Sequence, residues 1–308
     1  MAPVIRLEQV SKRWGREVAL DRVCLDVPPG VVFALLGENG AGKTTAIRIL
    51  LGLLGADGGR AEVLGLPSAT SGLEIRRRVG YVPERLALYQ WMTVEEIGWF
   101  TAGFYGEGFL SEYRRLAGHF ALPPHKKIGT LSKGMRAKVA LALAMAHEPD
   151  VLVLDEPTSG LDALVRREFL ESMVDRAAAG QTVFLSSHQI AEVERVADVI
   201  AILRKGELLV VQRLDELKAR VRELTFTMSD GAAPPDVPGE ILARRQRARQ
   251  WQLLVRNVEE DRIAALRREP GVRDLQARVP NLEEIFVAYM ERGRQPAGAA
   301  TPEEARQR

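Results

Sequence analysis

Apolar and polar residues alternate near the start of the chain and then give way to an uninterrupted apolar run. Within 5–7 and 23–27 hydrophobic side chains recur at every second position, so we predict antiparallel strands there. The run Val31–Leu36 is apolar throughout and predicts a strand buried on both faces. A glycine-rich segment follows, and a helical pattern then continues to Leu51. The chain therefore opens with strands, a glycine loop and a helix, in that order.

The middle of the chain alternates between helical and strand-like patterns. The stretch 86–120 is helical in pattern and holds half of the aromatic residues, and 136–147 is a second helical run. Val151–Leu154 and Thr182–Leu185 are short apolar runs, which predict two more buried strands with a helix between them. This alternation predicts an α/β fold.

The length and a change of pattern near Arg222 predict two domains. A chain of 308 residues is about twice the usual size of one domain. We predict a first domain over 1–222, with a helical subdomain at about 86–145, and a small α+β domain over 223–292. The predicted elements of the second domain are strands at 224–228, 251–255 and 272–279 and helices at 258–268 and 282–290. Residues 293–308 have little to bury and are predicted to be disordered.

Composition and charge argue against several classes of protein, among them nucleic-acid-binding, disulfide-bonded and membrane-spanning proteins. Lys and Arg number 43 against 41 Asp and Glu, so no global basic field exists to hold nucleic acid. The one basic cluster, 244–249, is interpreted as a solvated turn rather than a contact for nucleic acid or lipid. A single cysteine, Cys24, excludes an internal disulfide. The start of the chain lacks the pattern of a secretory signal, and no apolar run reaches the ~18 residues of a membrane helix.

The segment Gly37–Thr44 matches G-x-x-x-x-G-K-[ST] and lies between the predicted buried strand and the helix. Such a loop needs glycine because successive backbone N–H groups must point inward to form an anion nest. Lys43 is then expected to reach the β- and γ-phosphates of a nucleotide, and Thr44 to offer its hydroxyl to Mg²⁺. An accidental glycine turn is the alternative, and the flanking strand and helix disfavour it.

Two carboxylates, Asp155 and Glu156, follow the strand Val151–Leu154. Open α/β sheets bind ligands at the carboxyl ends of their strands. Asp155 is a candidate to hold the Mg²⁺ that bridges the phosphates, and Glu156 to orient or deprotonate the attacking water. In isolation such an acidic pair is more often a solvated turn, and the nearby phosphate loop reverses that preference.

Ser132 precedes the helical run 136–147 and is a candidate N-cap. A serine, the flexible Gly134 and a free helix N-terminus can together form a second anion site. The alternative is a plain helix cap, and because Met135 replaces Glu or Gln no capping box is expected.

The order of five motifs resembles the ATP-binding cassette of ABC transporters. They are the segments 37–45, 131–135, 151–157, 159–162 and 187–188, which correspond to Walker A, the signature, Walker B, the D-loop and the switch histidine. The resemblance covers about 1–222 and implies a P-loop NTPase fold with a mixed-sheet core, an antiparallel β subdomain and a helical subdomain. A single cassette with a short C-terminal domain, and the ending Asn281–Phe286, resemble the ATPase subunits of bacterial exporters whose membrane part is a separate polypeptide.

The resemblance implies roles for individual residues. Lys43, Glu156 and His188 would act in catalysis, with His188 against the γ-phosphate. Trp14 would stack on adenine, where the family more often has tyrosine; a Trp half buried in the strand subdomain is the alternative. Asp162 would lie at the seam between subunits. The implied nucleotide contacts are Trp14, Gly37, Asn39, Gly40, Gly42, Lys43, Thr44, Thr45, Ser132 and Gly134.

The sequence departs from the family pattern at two places. Glu84 stands where a metal-binding glutamine is common, so the candidate metal ligands are Thr44, Asp155 and Glu84, and the extra carboxylate adds negative charge beside the phosphates. The signature, often Ser-Gly-Gly-Gln, has Lys133 and Met135 as its second and fourth residues. Neither change removes the parts that hydrolysis needs.

One helical stripe carries Ile97, Phe100 and Phe104 at helical spacing. It is interpreted chiefly as the core of the helical subdomain, with an exposed groove for a membrane subunit as the alternative. Both interpretations can hold for different residues.

The resemblance implies a subunit that binds ATP and Mg²⁺, dimerises around ATP and powers export through separate transmembrane permease subunits. The second cassette would be another copy of the chain, no nucleic acid would be bound, and the chain would lie in the cytoplasm on the inner face of the cell membrane. The alternatives are a soluble ABC ATPase without a transport role and an ATP-sensing scaffold with weak hydrolysis.

Overall fold

The computed structural model describes residues 2–229 and 233–292, which form two compact units. The first unit ends at Gln212 and the second begins at Arg213. This division lies ten residues before the boundary predicted after Arg222. The predicted disordered tail, 293–308, lies outside the described residues.

The first unit alternates strands and helices, as the α/β pattern predicts. The strands that it contributes are β1 (Ile5–Trp14), β2 (Glu17–Val27), β3 (Val32–Leu36), β4 (Gly58–Val63), β5 (Leu66–Pro67), β6 (Val79–Val82), β7 (Val151–Asp155), β8 (Thr182–Ser187), β9 (Val199–Arg204) and β10 (Glu207–Arg213). Its helices are α1 (Lys43–Leu50), α2 (Gly72–Arg78), α3 (Val94–Ala102), α4 (Phe109–His119), α5 (Lys133–Met145), α6 (Ala163–Ala178) and α7 (Ile190–Val193). No helix among the described residues is long and apolar enough to cross a membrane.

A six-stranded sheet forms the centre of the first unit, in the order β10, β9, β3, β8, β7, β6. The pairs β9 with β3, β3 with β8, β8 with β7 and β7 with β6 are all parallel. Every residue of β3 and β7 is buried, which confirms that these apolar runs have both faces covered. Because the strands are parallel, the ends of β3, β7 and β8 meet at the same edge.

A four-stranded antiparallel sheet, in the order β2, β1, β4, β5, packs on the central sheet. The alternating side chains of β1 and β2 enter the same core as Phe33, Phe184 and the buried face of α1. Phe33 and Phe184 are fully buried, and their rings stack with centroids 5.5 Å apart. The period-two pattern of the first 27 residues therefore correctly predicts an antiparallel layer.

Helices α3, α4 and α5 form the helical subdomain, but the prediction of one helical stretch over 86–120 is wrong in detail. Residues 86–91 are not helical, and a glycine-rich break, 103–108, separates α3 from α4. The first of these segments is held instead by backbone bonds, in which the amides of Gly129 and Ile128 donate to the carbonyls of Gln90 and Met92. A capping box of Thr93 and Glu96 then starts α3.

The second unit is a small α+β domain, as predicted. It contains α8 (Leu214–Arg220), β11 (Val221–Met228), β12 (Glu240–Arg247), β13 (Gln250–Arg256), α9 (Glu260–Leu266), β14 (Val272–Arg278) and α10 (Leu282–Arg292). Its antiparallel sheet has the order β12, β13, β11, β14. The prediction of a turn over 244–249 is wrong, because 244–247 belong to β12 and only 248–249 form the turn.

Replacing Phe184 by Ala should destabilise the first unit by about 3–5 kcal/mol, because it removes a fully buried ring and leaves a cavity in the core. Denaturant unfolding of the full chain measures the change. Phe104→Ala is the matched control, since that side chain is 68% exposed and its loss should cost less than about 1 kcal/mol. Equal losses for the two variants would contradict the packing described.

Candidate functional site

The glycine-rich loop, residues 37–42, joins β3 to α1 in the predicted place. Gly40 and Gly42 have φ angles of 80° and 110°, in the left-handed region that favours glycine. A side chain at Gly42 would also overlap the carbonyl oxygen of Ala19 on β2. Both the backbone conformation and the space therefore restrict this position to glycine.

The other side of the loop rests on the turn between β9 and β10. A side chain at Gly37 would overlap the carbonyl oxygen of Leu203, so the two backbones are in direct contact. The amide of Gly206 donates to the carbonyl of Ala41 at 2.9 Å. The loop is thus fixed by backbone contacts on both sides.

Lys43 starts α1 and is buried, with 6% of its side chain exposed. Its ammonium donates to the carbonyl oxygens of Gly37 at 2.7 Å and Glu38 at 3.3 Å. Its Nζ also lies 2.9 Å from Oε1 of Glu156, whose side chain is 7% exposed. The ammonium thus donates to two backbone carbonyls, and its buried positive charge is compensated by a buried negative one.

One serine hydroxyl organises the two carboxylate residues. The parallel register places Asp155, the last residue of β7, opposite Ser186 of β8. The Ser186 hydroxyl donates to Oδ1 of Asp155 at 2.6 Å and accepts from the backbone amide of Glu156 at 3.1 Å. Asp155 and Ser186 are both almost fully buried, so this arrangement is fixed inside the sheet edge.

Glu156 turns away from the strand and connects Lys43 to His188. Its φ of 50° is in the left-handed region, which is uncommon for a residue with a side chain and is found at functional sites. Its Oε2 lies 2.7 Å from Nδ1 of His188 and accepts from the backbone amide of the same residue at 3.3 Å. Lys43, Glu156 and His188, predicted from three separate motifs, therefore form one contiguous group.

A cavity of about 440 Å³ opens over the loop, and most of the predicted nucleotide contacts line it. Its lining residues are Trp14, Glu17, Ala19, Asn39, Gly40, Ala41, Gly42, Lys43, Thr44, Thr45, Glu84 and Glu156. Trp14 is the last residue of β1 and is 54% exposed at the rim, and the ammonium of Lys12 lies 5.3 Å from the centroid of its ring. The volume is in the range of pockets that bind small molecules.

Of the predicted site residues, Gly37, Asp155, His188, Ser132 and Gly134 are not among those that line this cavity. Ser132 is the N-cap of α5, and its hydroxyl accepts from the backbone amide of Met135, as predicted. Gly134 packs against Val165 of α6, and the ammonium of Lys133 lies against Gly160. Within one chain, the second predicted anion site is therefore separate from the first.

Comparisons with known proteins show the family of the chain. The family model described as an ABC transporter matches residues 20–159. A second model, described as an AAA domain and putative AbiEii toxin of a type IV TA system, matches residues 126–194. The daunorubicin resistance ATP-binding protein DrrA2 of Streptomyces coeruleorubidus is 34% identical over 92% of this chain and 94% of its own length. The chain belongs to the ABC transporter ATP-binding family.

Two further comparisons agree with this assignment of the cassette. The bacitracin transport ATP-binding protein BcrA of Bacillus licheniformis is 34% identical over 75% of this chain and 76% of its own length. A solved structure described as the ATP-binding subunit of an ABC transporter has a TM-score of 0.65, 31% identity, and coverage of 70% of this chain and 92% of that one. These matches confirm the predicted P-loop ABC cassette.

Sequence reasoning missed Ser186 and the ion pair between Lys43 and Glu156. Ser186 was visible only as a small polar residue inside a buried apolar run, and its link to Asp155 depends on the pairing of β7 with β8. The ion pair joins residues 113 positions apart and needs the full sheet order. Both contacts follow from the parallel topology of the cassette and not from local pattern.

Asp155 and Thr44, beside the cavity, suit a magnesium ion that takes its remaining ligands from water and a bound nucleotide. Asp155 is 1% exposed, and no ion pair with it occurs among the described residues, although buried charges are normally paired or bind metals. Burial of the Tyr81 hydroxyl, together with the negative charge of Asp155, raises the pKa of Tyr81 to about 12. No group of three or more His, Cys, Asp or Glu side chains able to hold a metal exists in the described part of the chain. One carboxylate and the Thr44 hydroxyl match Mg²⁺, which usually keeps waters and takes few protein ligands.

Replacing Gly42 by Ala should lower nucleotide affinity of the cassette by more than about tenfold, because the added carbon forces the loop away from Ala19 in a strained conformation. Fluorescence titration with a labelled ATP analogue measures the affinity. Gly118→Ala in α4 is the control, since a carbon there meets no atom within 4 Å. An unchanged affinity for Gly42→Ala would contradict the role of the loop.

Proposed function

We propose that this chain is the ATP-hydrolysing subunit of an exporter, which dimerises around ATP and drives separate transmembrane permease subunits. The observation that carries the proposal is the contiguous group of Lys43, Glu156 and His188, of which Lys43 and Glu156 line the cavity above the glycine loop. This group combines an anion-binding cation, a carboxylate and an imidazole, which are the parts needed for phosphoryl transfer to water. Membership in the ABC transporter ATP-binding family supports the same reaction.

ATP binding would use the cavity and its backbone donors. The amides of the loop and of the first turn of α1 would surround the phosphates, and Lys43 would contact the β- and γ-phosphates. Thr45 and Asn39 line the same cavity and would complete the polar shell. The exposed ring of Trp14 would stack on adenine at the rim.

Hydrolysis would use Glu156 as the group that orients or deprotonates water. A γ-phosphate that contacts Lys43 would compete with Glu156 for the ammonium, so Oε1 of Glu156 would become available to accept a water proton. His188 would remain next to Oε2 and contact the γ-phosphate, because its ring can donate a hydrogen bond to a phosphate oxygen.

Magnesium would be held by the Thr44 hydroxyl and the Asp155 carboxylate, with Ser186 fixing the orientation of that carboxylate. Bound there, the ion would neutralise phosphate charge as it develops during transfer. Glu84 lines the same cavity and is exposed, so its carboxylate would lie near the phosphates and lower their net attraction to the site.

Two cassettes would be required for one complete site. In the family each ATP lies between the phosphate loop of one cassette and the signature of another, and in this chain Ser132 and Gly134 do not line the cavity of their own phosphate loop. The N-terminus of α5 would supply the second set of anion donors from the partner copy. ATP would thus join two copies, with Asp162 at the seam, and hydrolysis would release them.

Exposed aromatic side chains of the helical subdomain support a membrane partner. Trp91, Trp99 and Phe104 are 67–68% exposed. Of the predicted stripe, Ile97 is buried, Phe100 is partly buried and Phe104, which lies beyond the end of α3, is exposed. Tyr89, between Trp91 and Phe100, has ring contacts with both. Such an exposed apolar patch is typical of a binding surface, and permease helices on the cytoplasmic side of the cell membrane would cover it.

Export rather than import is proposed because relatives carry the names of a bacitracin transport protein and a daunorubicin resistance protein.

Replacing Glu156 by Gln should lower the single-turnover rate of ATP hydrolysis by about 100-fold or more while ATP binding is retained. In the presence of ATP this variant should then accumulate as a dimer, which size-exclusion chromatography detects. Lys43→Ala should instead lose ATP affinity, because the phosphates lose their buried cation. Equal hydrolysis rates for wild type and Glu156→Gln would support the ATP-sensing scaffold and contradict the proposed enzyme.

Replacing Trp91 by Glu should abolish co-purification of a multi-span membrane protein from detergent extracts, because a charge would enter the exposed aromatic patch beside Tyr89. The ATPase rate of the isolated chain should stay within about twofold of wild type, since Trp91 does not line the cavity. Leu164→Glu is the control, with a side chain that is also exposed, at 69%, but lies outside the patch. Equal retention of the membrane protein by all three proteins would contradict docking on this surface.

A further inference from the structure

Glu192 in α7 lies four residues after His188 and is mostly buried, with 12% of its side chain exposed. Its Oε2 accepts a hydrogen bond from the hydroxyl of Thr158 at 2.6 Å. Its Oε1 lies 2.9 Å from a guanidinium nitrogen of Arg166. We call Glu192, Thr158 and Arg166 the Glu192 clamp. None of the three residues belongs to the five family motifs, although all three lie close to them in the sequence.

Both partners of Glu192 belong to the segment that follows Glu156. Thr158 lies two residues after Glu156 and is 3% exposed. Arg166 lies in the first turn of α6, and its guanidinium also donates to the carbonyl of Leu161 at 2.9 Å. The amide of Leu161 donates in turn to the carbonyl of Thr158 at 3.1 Å. The clamp therefore holds the loop 156–162 at its beginning and at its end.

Burial distinguishes the clamp from a surface ion pair: Oε2 of Glu192 is hydrogen-bonded to Thr158, and its Oε1 is within ion-pair distance of Arg166. A mostly buried carboxylate is costly unless it is paired and hydrogen-bonded, and Glu192 has one cation and one hydroxyl. The ion pair of Arg167 with Glu171, on the same α6, is different because its side chains are 67% and 59% exposed. Solvent screens such a pair, so it contributes little.

We propose that Glu192 is a positioning residue for ATP hydrolysis, which fixes the segment carrying His188 to the loop carrying Glu156. The two segments leave neighbouring strands, β8 and β7, and the clamp joins them at a second place besides the direct contact of Glu156 with His188. Clamped together, they carry Glu156, His188 and the seam residues 159–162 as one body, so closure of the dimer presents the carboxylate and the imidazole to the γ-phosphate in one fixed geometry. This inference rests on the proposed function.

The clamp acts on turnover and not on ATP binding. Glu192, Thr158 and Arg166 do not line the cavity over the phosphate loop, and their side chains are engaged with one another and with the carbonyl of Leu161. Loosening the clamp leaves ATP bound while Glu156 and His188 sample geometries in which water is not aligned. Small misplacements of catalytic groups lower kcat strongly and leave KM almost unchanged.

The experiment is steady-state ATP hydrolysis by the full chain with Glu192→Ala, Glu192→Gln and Thr158→Val, alongside wild type. Glu192→Ala should lower kcat about tenfold and change KM for ATP by less than about twofold. Glu192→Gln keeps an acceptor for Thr158 and should recover part of the loss. Thr158→Val in the Glu192→Ala background should add less than it does alone, since both changes remove the same hydrogen bond. Glu171→Ala on α6 is the control and should match wild type.

The melting temperature is measured for every variant to confirm that it is folded. If Glu192→Ala does not fold, kcat and KM of Glu192→Gln are compared with those of wild type instead. A folded Glu192→Gln or Glu192→Ala variant with the kcat of wild type overturns the clamp, as does a rise in KM that equals the fall in kcat. If the wild-type protein hydrolyses ATP and these folded variants do so at the same rate, only the role of the clamp is rejected. A wild type without turnover rejects the proposed function as well.

Discussion

The cassette depends on the convergence of buried charge at one edge of a parallel sheet. Lys43 and Glu156 are each less than a tenth exposed, and each is compensated by the other at 2.9 Å. Burial of either charge alone would cost several kcal/mol, so their positions are mutually required. The strands β3, β7 and β8 end together because they are parallel, and this topology alone brings a lysine from one motif to a glutamate from another.

Much of the site could be predicted because its chemistry is local. The segment from β3 through the glycine loop to α1 carries its own signals: an apolar run, glycines at positions of positive φ and a lysine at the helix start. Asp155 and Glu156 were predictable from their place after a buried strand. The antiparallel layer followed from period-two alternation, and Ser132 from its preference as an N-cap.

Contacts across the fold could not be predicted from local pattern. Ser186 reads as part of a buried strand, and only the register of β8 against β7 shows that its hydroxyl meets Asp155. The segment 86–91 has helical periodicity, yet backbone bonds from 128–129 hold it in an irregular path. Likewise, four arginines between 244 and 249 indicated a turn, although pairing with β13 extends a strand to Arg247. In each case tertiary hydrogen bonds outweighed local preference.

The contacts of the glycine loop with Ala19, Leu203 and Gly206 join backbone to backbone. At Ala19 and Leu203 such contacts do not depend on the side chain, so these positions tolerate side-chain substitution but not a change in chain length, whereas Gly206, with a φ of 83°, favours glycine. The turn 205–206 that links β9 to β10 also occurs where Lys205 and Gly206 both have positive φ. The β9–β10 hairpin thereby sets the position of the glycine loop. Lengthening this hairpin by one residue would shift the loop even though no residue that lines the cavity had been changed.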